Sequence, residues 1–564
     1  MALCVFLSAA ELATTVGYSL DDSVFAIYAR SISALCVLLF WLQEVIRIHL
    51  TRKPLFPYLF EHKFDFVLLL AMLLLPVAGS LMPFLDGGAI NIEASLTFPE
   101  IAMHCIVLVF GLLRGIRFLQ NISLSPGLIF ILSFAVLISI GTILLLMPNA
   151  TVGEEGLGFV DAAFFATSAV CVTGLVPVES MPETLSTTGQ MILLVLCQLG
   201  GLGVMTITYF FAFFFDGGLS IRNRFAFGDL FNERNVSTIG VTLFTVVLFT
   251  AIVETLGAVA IYFSVAGTPA VDSPVYFSIF HSIMAFCNAG FSIVPDGLCN
   301  PEFVQNTAVL SAIGILTVFG ALGFPVVRDL TLSAWTHLRR RMFPLVDQLP
   351  QKMMTHTRVV MVTTLIVSVA GTLILWLTEQ GDFFSALFSA FASRTAGFAV
   401  TDTATLSNAS LFVMMVLMLI GGAPFSTAGG IKVTTFAIAI LALKQYLLGR
   451  RDLEIFGRRL DSDIANQALA IVLLTLGLFA LVAIVVCALH PEIRAIEVMF
   501  ESVSAVGTVG LSCGITAKLC WIAKLCLIFA MFIGRIGVLL FFASFISKRN
   551  VNNTARYPET TITL

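Results

Sequence analysis

Residues 168–175 read SAVCVTGL. The stretch has a glycine where a bilayer helix would be weakened, small polar residues where lipid would reject them, and no charge. It stands in a chain of 564 residues that is 58% hydrophobic and only 11% charged, with a mean hydropathy of +1.01. Many of the surrounding apolar runs reach about 20 residues, the length that crosses a bilayer as a helix. The chain reads as a polytopic membrane protein, and no segment looks like a soluble domain.

Similar octamers recur downstream as AFCNAGFS (285–292), ASRTAGFA (392–399) and AVGTVGLS (505–512). They put Gly174, Gly290, Gly397 and Gly510 at intervals of 116, 107 and 113 residues, the mark of one structural unit used four times. The register extends beyond the glycine. Five residues earlier stand Ala169, Ala285, Ala392 and Ala505, eight earlier Ala166, Ser282, Ser389 and Ser502, and one later Leu175, Phe291, Phe398 and Leu511. A second glycine cluster follows each time: QLGGLG (198–203), FGALG (319–323), IGGAP (420–424) and IGRIG (533–537).

Each unit therefore reads as an apolar helix, a half-helix, an uncharged re-entrant loop and a second helix. The flanking helices are expected at 126–148 with 188–215, 238–265 with 307–327, 357–379 with 409–445, and 466–489 with 520–547. The half-helices are expected at 161–169, 276–285, 384–392 and 496–505. The expected fold is an all-α membrane protein of four pseudo-repeated units around a central pore. The divisions are 1–120 (a transmembrane extension of about three spans, 24–48, 64–84 and 97–118), 121–220, 221–340, 341–450 and 451–547 (the four units), and 548–564 (a cytoplasmic tail).

Charge placement orients the chain. Arg222, Arg224 and Arg234 share one connection, Arg328, Arg339, Arg340, Arg341, Lys352 and Arg358 a second, and Lys444, Arg450, Arg451, Arg458 and Arg459 a third. An excess of basic residues marks cytoplasmic loops. The intervening connections, with Glu154, Glu155, Asp272, Asp296 and Asp382, then face outward. The 11 cysteines are scattered singly, without a CxxC pair, and read as small apolar residues. The first 20 residues lack the basic region and cleavage site of a secretory signal.

Non-helical backbone survives at membrane depth only where protein or a water-filled cavity satisfies it. Glycine allows the positive φ that turns successive carbonyls toward one axis. Four such loops could replace the hydration shell of a monovalent cation with carbonyl oxygens, aided by the negative ends of the half-helices. Around the loops only Arg394 is charged. Close helix packing, the usual role of glycine in membrane helices, does not explain the fourfold recurrence.

SAVCVTGL with QLGGLGVMT, FHSIMAFCNAGF, SRTAGF with GGAPFSTAGGIK, and FESVSAVGTVGLS with MFIGRIG resemble the potassium-translocating subunits of the Trk/Ktr/HKT superfamily over about residues 126–547. The resemblance implies potassium uptake through a homodimer with one pore per protomer. It implies potassium coordination by the carbonyls of Val172, Thr173 and Gly174; Asn288, Ala289 and Gly290; Thr395, Ala396 and Gly397; and Thr508, Val509 and Gly510. It also implies a bacterial inner-membrane location with the filter outside, and a cytosolic nucleotide-binding ring as regulatory partner. No cofactor is expected. In plant-type relatives a serine replacing the first filter glycine goes with sodium preference, so the intact Gly174 favours potassium.

The segment LIGGAPFSTAGGIK (419–432) cannot be a continuous helix, because Pro424 removes an amide donor and Gly421, Gly422, Gly429 and Gly430 weaken both sides. In the family this is the gating loop, with serine and glycine where this chain has Ala423 and Phe425. Arg535 lies deep in the last span, where an arginine costs about 2.5–3.5 kcal/mol unless it meets a partner or water. By resemblance it lines the passage beneath the filter or pairs with the gate. Lys432 and Glu254 read equally well as structural groups and as ion-path residues. Upstream, QEVIRI, HKFDFV and LLRGIRF carry only Arg114 and Arg117 at a voltage sensor's spacing, and a plain anchoring bundle is the better reading.

Three other functions were weighed. A membrane enzyme built on His281 and Ser282 fails because helix neighbours point about 100° apart. The potassium-binding subunit of a primary pump has longer spans between its loops and different filter strings. A sodium-coupled or sodium-conducting relative stays open. No GxGxxG fingerprint follows a strand pattern, and nothing points to nucleic acid.

Overall fold

The computed structural model describes residues 126–153, 156–203, 239–265, 268, 271, 273–342, 353–379, 381–449 and 452–545. Outside them lie the three upstream spans, the tail, the part of span 188–215 beyond residue 203, Glu154, Glu155, Asp272, and the basic residues Arg222, Arg224, Arg234, Lys352, Arg450 and Arg451.

Four times in succession a long helix is followed by a short one, a loop and a second helix. The first unit has α1 (Pro126–Leu145), α2 (Phe159–Val170) and α3 (Thr187–Leu202). The second has α4 (Ile239–Val265), α5 (Pro274–Cys287), α6 (Thr307–Ala321) and α7 (Phe324–Met342). The third has α8 (Thr355–Glu379), α9 (Phe383–Ala392), α10 (Asn408–Leu419) and α11 (Val433–Leu447). The fourth has α12 (Ser462–Leu489), α13 (Ala495–Gly507), α14 (Trp521–Ile536) and α15 (Val538–Phe545). One antiparallel hairpin, β1 (Leu453–Ile455) with β2 (Arg458–Leu460), joins α11 to α12.

The long helices α1, α8 and α12, and α4 over Phe244–Val265, are long and apolar enough to cross a membrane. Their outward faces carry exposed side chains such as Leu256, Phe263, Leu365, Leu481 and Ile484, as a lipid-facing surface requires. Three of the four second helices, α3, α6 and α10, begin at side-chain caps. Ser186, Asn306 and Ser407 accept from the amides of Gly189, Val309 and Ser410 at 3.2 Å each, which satisfies donors otherwise unpaired at a helix start.

Two expected continuous spans are broken. α6 and α7 meet at 101° and α14 and α15 at 92°, so 307–327 and 520–547 are each two helices. The breaks fall at Gly323 (φ 81°) and Gly537 (φ 97°), left-handed conformations that a right-handed helix cannot continue through.

The core is shared between units. One buried cluster joins Phe165 and Val172 of the first unit to Phe280 and Phe291 of the second and Phe398 of the third. Another joins Phe164 and Leu175 to Val506 and Leu527 of the fourth, and a third joins Met418 to Phe500 and Val509. The short helices α2, α5, α9 and α13 thus sit inside a ring of long helices, with their carboxyl ends toward one another.

Candidate functional site

The twelve loop residues singled out by the repeat occur at the carboxyl ends of the four short helices, and all but Gly290 are buried. Each glycine has positive φ: 93° at Gly174, 66° at Gly290, 75° at Gly397 and 98° at Gly510. The residue two positions earlier does too: Val172 (55°), Asn288 (61°), Thr395 (81°) and Thr508 (50°). For a β-branched side chain this is an outlier costing about 1–2 kcal/mol. Strain of that kind persists only where the surroundings over-determine it, and it concentrates at functional sites.

Hydrogen bonding explains how three loops hold it. The amides of Val172 and Thr173 donate to Ala169 O and Ser168 O, those of Asn288 and Ala289 to Ala285 O and Met284 O, and those of Thr508 and Val509 to Ala505 O and Ser504 O. This is the Schellman closure of a helix end, with valine, asparagine or threonine at the position glycine usually takes. The Gly174 and Gly510 amides continue the pattern by donating to the hydroxyls of Ser168 and Ser504, each at 3.0 Å. In the third loop the closure falls one residue later, with Gly397 N donating to Ala392 O. The amides face back to their own helix. None of the twelve carbonyl oxygens accepts a hydrogen bond from a described residue.

The glycines report how close the loops come. A Cβ on Gly174 would collide with Ala289 O, one on Gly290 with the backbone of Gly397, one on Gly397 with Val509 O, and one on Gly510 with Thr173 O. Contact therefore runs 174, 290, 397, 510 and back to 174. The four loops close a ring in chain order, backbone against backbone, around one axis.

The second glycine clusters seat this ring. A Cβ on Gly200 would strike Val170 O, on Gly320 Phe286 O, and on Gly534 Val506 O. In each case the carbonyl belongs to the residue four before the loop glycine. Gly203, Gly323 and Gly537, three residues beyond each seat, all have positive φ.

The third unit departs from this plan. Between α10 and α11, residues 420–432 leave the helix and fold under the ring. Gly421 N donates to Ile431 O, Ile431 N to Leu419 O, Ala423 N to Ala321 O, and Thr427 N to Gly320 O. Thr427 accepts from the Asn288 amide at 2.7 Å and donates to Phe286 O at 3.1 Å, and a Cβ on Gly429 would meet the Thr508 hydroxyl. The loop thus touches the second and fourth ring loops. Arg535 donates to Thr427 O and, at 2.7 Å, to Gly200 O, clasping the loop against α3. Arg394, buried behind the third ring loop, donates to Ser368 Oγ at 3.0 Å and Gly421 O at 3.1 Å. Lys432 turns inward and donates to Ala428 O at 2.6 Å. Phe425 has φ 59° and its carbonyl accepts from Phe324 N, and Ala423 packs with Val326 and Val360.

Residues 119–553 match the TrkH family of cation transport proteins. The chain belongs to that family. Among curated relatives of this TrkH-family chain, the Ktr system potassium uptake protein B of Vibrio alginolyticus is 32% identical over 446 residues, covering 77% of this chain and 94% of the relative. The potassium/sodium uptake protein NtpJ of Enterococcus hirae is 33% identical over 459 residues, covering 78% and 97%. The crystal structure of the potassium transporter TrkH from Vibrio parahaemolyticus aligns with a TM-score of 0.60 at 18% identity, covering 86% of this chain and 97% of that one. The fold is thus that of a polytopic TrkH-type membrane protein, and the family is one of ion transporters, not enzymes.

Several buried polar groups of this TrkH-family chain find partners that only the structure shows, and of these Lys524 and Glu501 are not singled out by the sequence. Lys524 of α14 pairs with Asp161 of α2 at 2.6 Å and donates to Pro177 O at 3.1 Å. Glu501 of α13 accepts from the hydroxyls of Ser512 and Thr516. His281 of α5 bonds Phe277 O and Ser292 Oγ at 3.0 Å each. Glu254 accepts from Gln198 at 3.1 Å, and its backbone carbonyl from Ser282, so it ties α4 to α3 and α5. The signal for Glu501 was available, since it stands nine residues before its loop glycine, as His281 does.

Proposed function

We propose that this chain carries potassium into the cell through the four-loop ring, with the twelve carbonyls as its selectivity filter and residues 420–432 as its gate. The observation that carries this reading is the closed ring, in which buried carbonyls lack a described donor while every loop amide named above is turned back to its helix. Unpaired buried carbonyls are costly, and a partly dehydrated alkali ion is the partner that offsets the cost. Arg535, gripping Thr427 O beneath the ring, holds the gate and adds positive charge to the path. The potassium uptake for which the Vibrio alginolyticus relative is named supports the same choice of ion.

The units span 121–220, 221–340, 341–450 and 451–547 in this reading, with 1–120 as an added membrane anchor and 548–564 as a cytoplasmic tail. The protein sits in a bacterial inner membrane with the filter outward and the basic connections inward. It acts as a homodimer under a cytosolic nucleotide-binding ring docked on those connections. Sodium transport is the second reading, favoured by the potassium/sodium uptake named for the Enterococcus hirae relative.

The test is rubidium-86 uptake into proteoliposomes holding the purified protein. Saturable uptake, inhibited by potassium at far lower concentration than by sodium, is the expected result. Equal inhibition by the two ions would decide for the sodium reading, and no protein-dependent uptake would overturn both.

A further inference from the structure

The four loops share a backbone plan, yet their outer shoulders are held in two different ways. Nine residues before the loop glycine stand Phe165, His281, Phe388 and Glu501, and two residues after it stand Val176, Ser292, Ala399 and Ser512. In the second unit His281 Nδ1 lies 3.0 Å from Phe277 O, so Nδ1 carries the hydrogen and Nε2 accepts from the Ser292 hydroxyl at 3.0 Å. Ser292 Oγ in turn accepts from Val294 N at 3.3 Å. In the fourth unit the Ser512 hydroxyl donates to Glu501 and accepts from Gly514 N at 2.9 Å. The two arrangements match position for position: a buried acceptor in the short helix, a serine just past the filter, and the amide two residues beyond it.

The first and third units fill the same positions with buried phenylalanines and with valine and alanine, whose side chains cannot form this bond; the Ala399 carbonyl accepts instead from the Cys299 thiol at 3.4 Å. Because the ring runs 174, 290, 397, 510, the two serine-braced loops face each other across the axis and alternate with loops that lack this bond, the first of which is tied instead at Pro177 O by Lys524. His281 is also wedged between Phe277, whose ring centroid is 3.9 Å away, and Phe398 of the third loop at 6.3 Å. It can therefore hold its shoulder without moving.

We propose that His281 and Glu501 are positioning residues for ion selection. Through Ser292 and Ser512 they fix the outer shoulders of two opposed filter loops, so that discrimination between potassium and sodium rests on two braces and not on four equivalent loops. A carbonyl ring selects by the spacing and stiffness of its oxygens. A shoulder that can drift lets the ring contract around the smaller ion. The inference rests on the filter reading of the ring.

The experiment is competition of potassium and sodium against rubidium-86 uptake by the reconstituted protein. His281→Phe installs the residue found in the first and third units, keeping a ring but deleting the acceptor, and Ser292→Ala deletes the other partner. Each is expected to lower potassium-over-sodium preference about fivefold, the scale of one lost hydrogen bond. The double variant is expected to do no worse than either single one, because both remove the same interaction. Glu501→Gln retains an acceptor and is expected to keep the preference, whereas Ser512→Ala lowers it. Val176→Ala, at the corresponding position of a loop without the serine brace, is expected to leave it alone.

Preference unmoved by His281→Phe and Ser292→Ala, or losses that add in the double variant, would overturn the braces. That outcome is distinct from failure of the filter reading, in which the unaltered protein itself shows no potassium preference.

Discussion

Three units of this molecule obey one rule and the third unit breaks it. In the first, second and fourth, a glycine of the second helix is pressed onto the carbonyl four residues before the loop glycine, and a left-handed glycine three residues later ends the helix. In the third, Gly421 is pressed instead onto Gly429 O of its own unwound segment. The position three residues on is Pro424, and the Gly421 carbonyl is taken up by Arg394. The helix-end closure slips by one residue in the same unit. Three seats are built alike, and the unit that lacks one supplies instead the unwound segment folded beneath the ring.

Substitutions at matching positions test that contrast. The largest effect is expected for Gly534→Ala, whose new methyl would drive into Val506 O on a seat with no slack. Overpacking costs about 1–3 kcal/mol or more, and rubidium uptake should be abolished, whereas Gly421→Ala should alter the rate while leaving ion preference intact. Equal loss of preference in both would erase the distinction between seat and gate. Gly174→Ser comes next. At φ 93° and against Ala289 O, a side chain costs about 1–2 kcal/mol in backbone strain alone, so potassium-over-sodium preference in competition assays should fall about tenfold.

Arg535→Gln acts on the clasp. It weakens two hydrogen bonds from a charged donor, worth about 1.5–3 kcal/mol each, so uptake should rise several-fold with preference unchanged, and slower uptake would count against a closing role. The smallest effect is expected for Lys432→Met. Its amine bonds Ala428 O inside the loop, and losing one such bond should change the uptake rate less than about threefold.

The contrast also explains what could be read in advance. Periodicity of the loop glycines located all four short helices to within a few residues, because a repeated backbone need leaves a repeated residue. The break at 420–432 was legible for the same reason, since proline and four glycines cannot sustain a helix. The bends at Gly323 and Gly537 are not legible in the sequence, because a glycine that packs and a glycine that turns look alike in a string of letters. The left-handed Val172, Thr395 and Thr508 run against side-chain preference and are enforced by the helix closures behind them. Lys524 and Asp161, 363 positions apart, meet only because the fourth unit lies beside the first.

That last adjacency has a consequence for biogenesis. The joint between Gly510 and Thr173 is the one that turns an arc into a circle, and it unites the last unit to be synthesised with the first. A nascent chain synthesised only through α11 holds three of the four loops and cannot close the ring. The ring therefore comes into being only when the fourth unit docks beside the first.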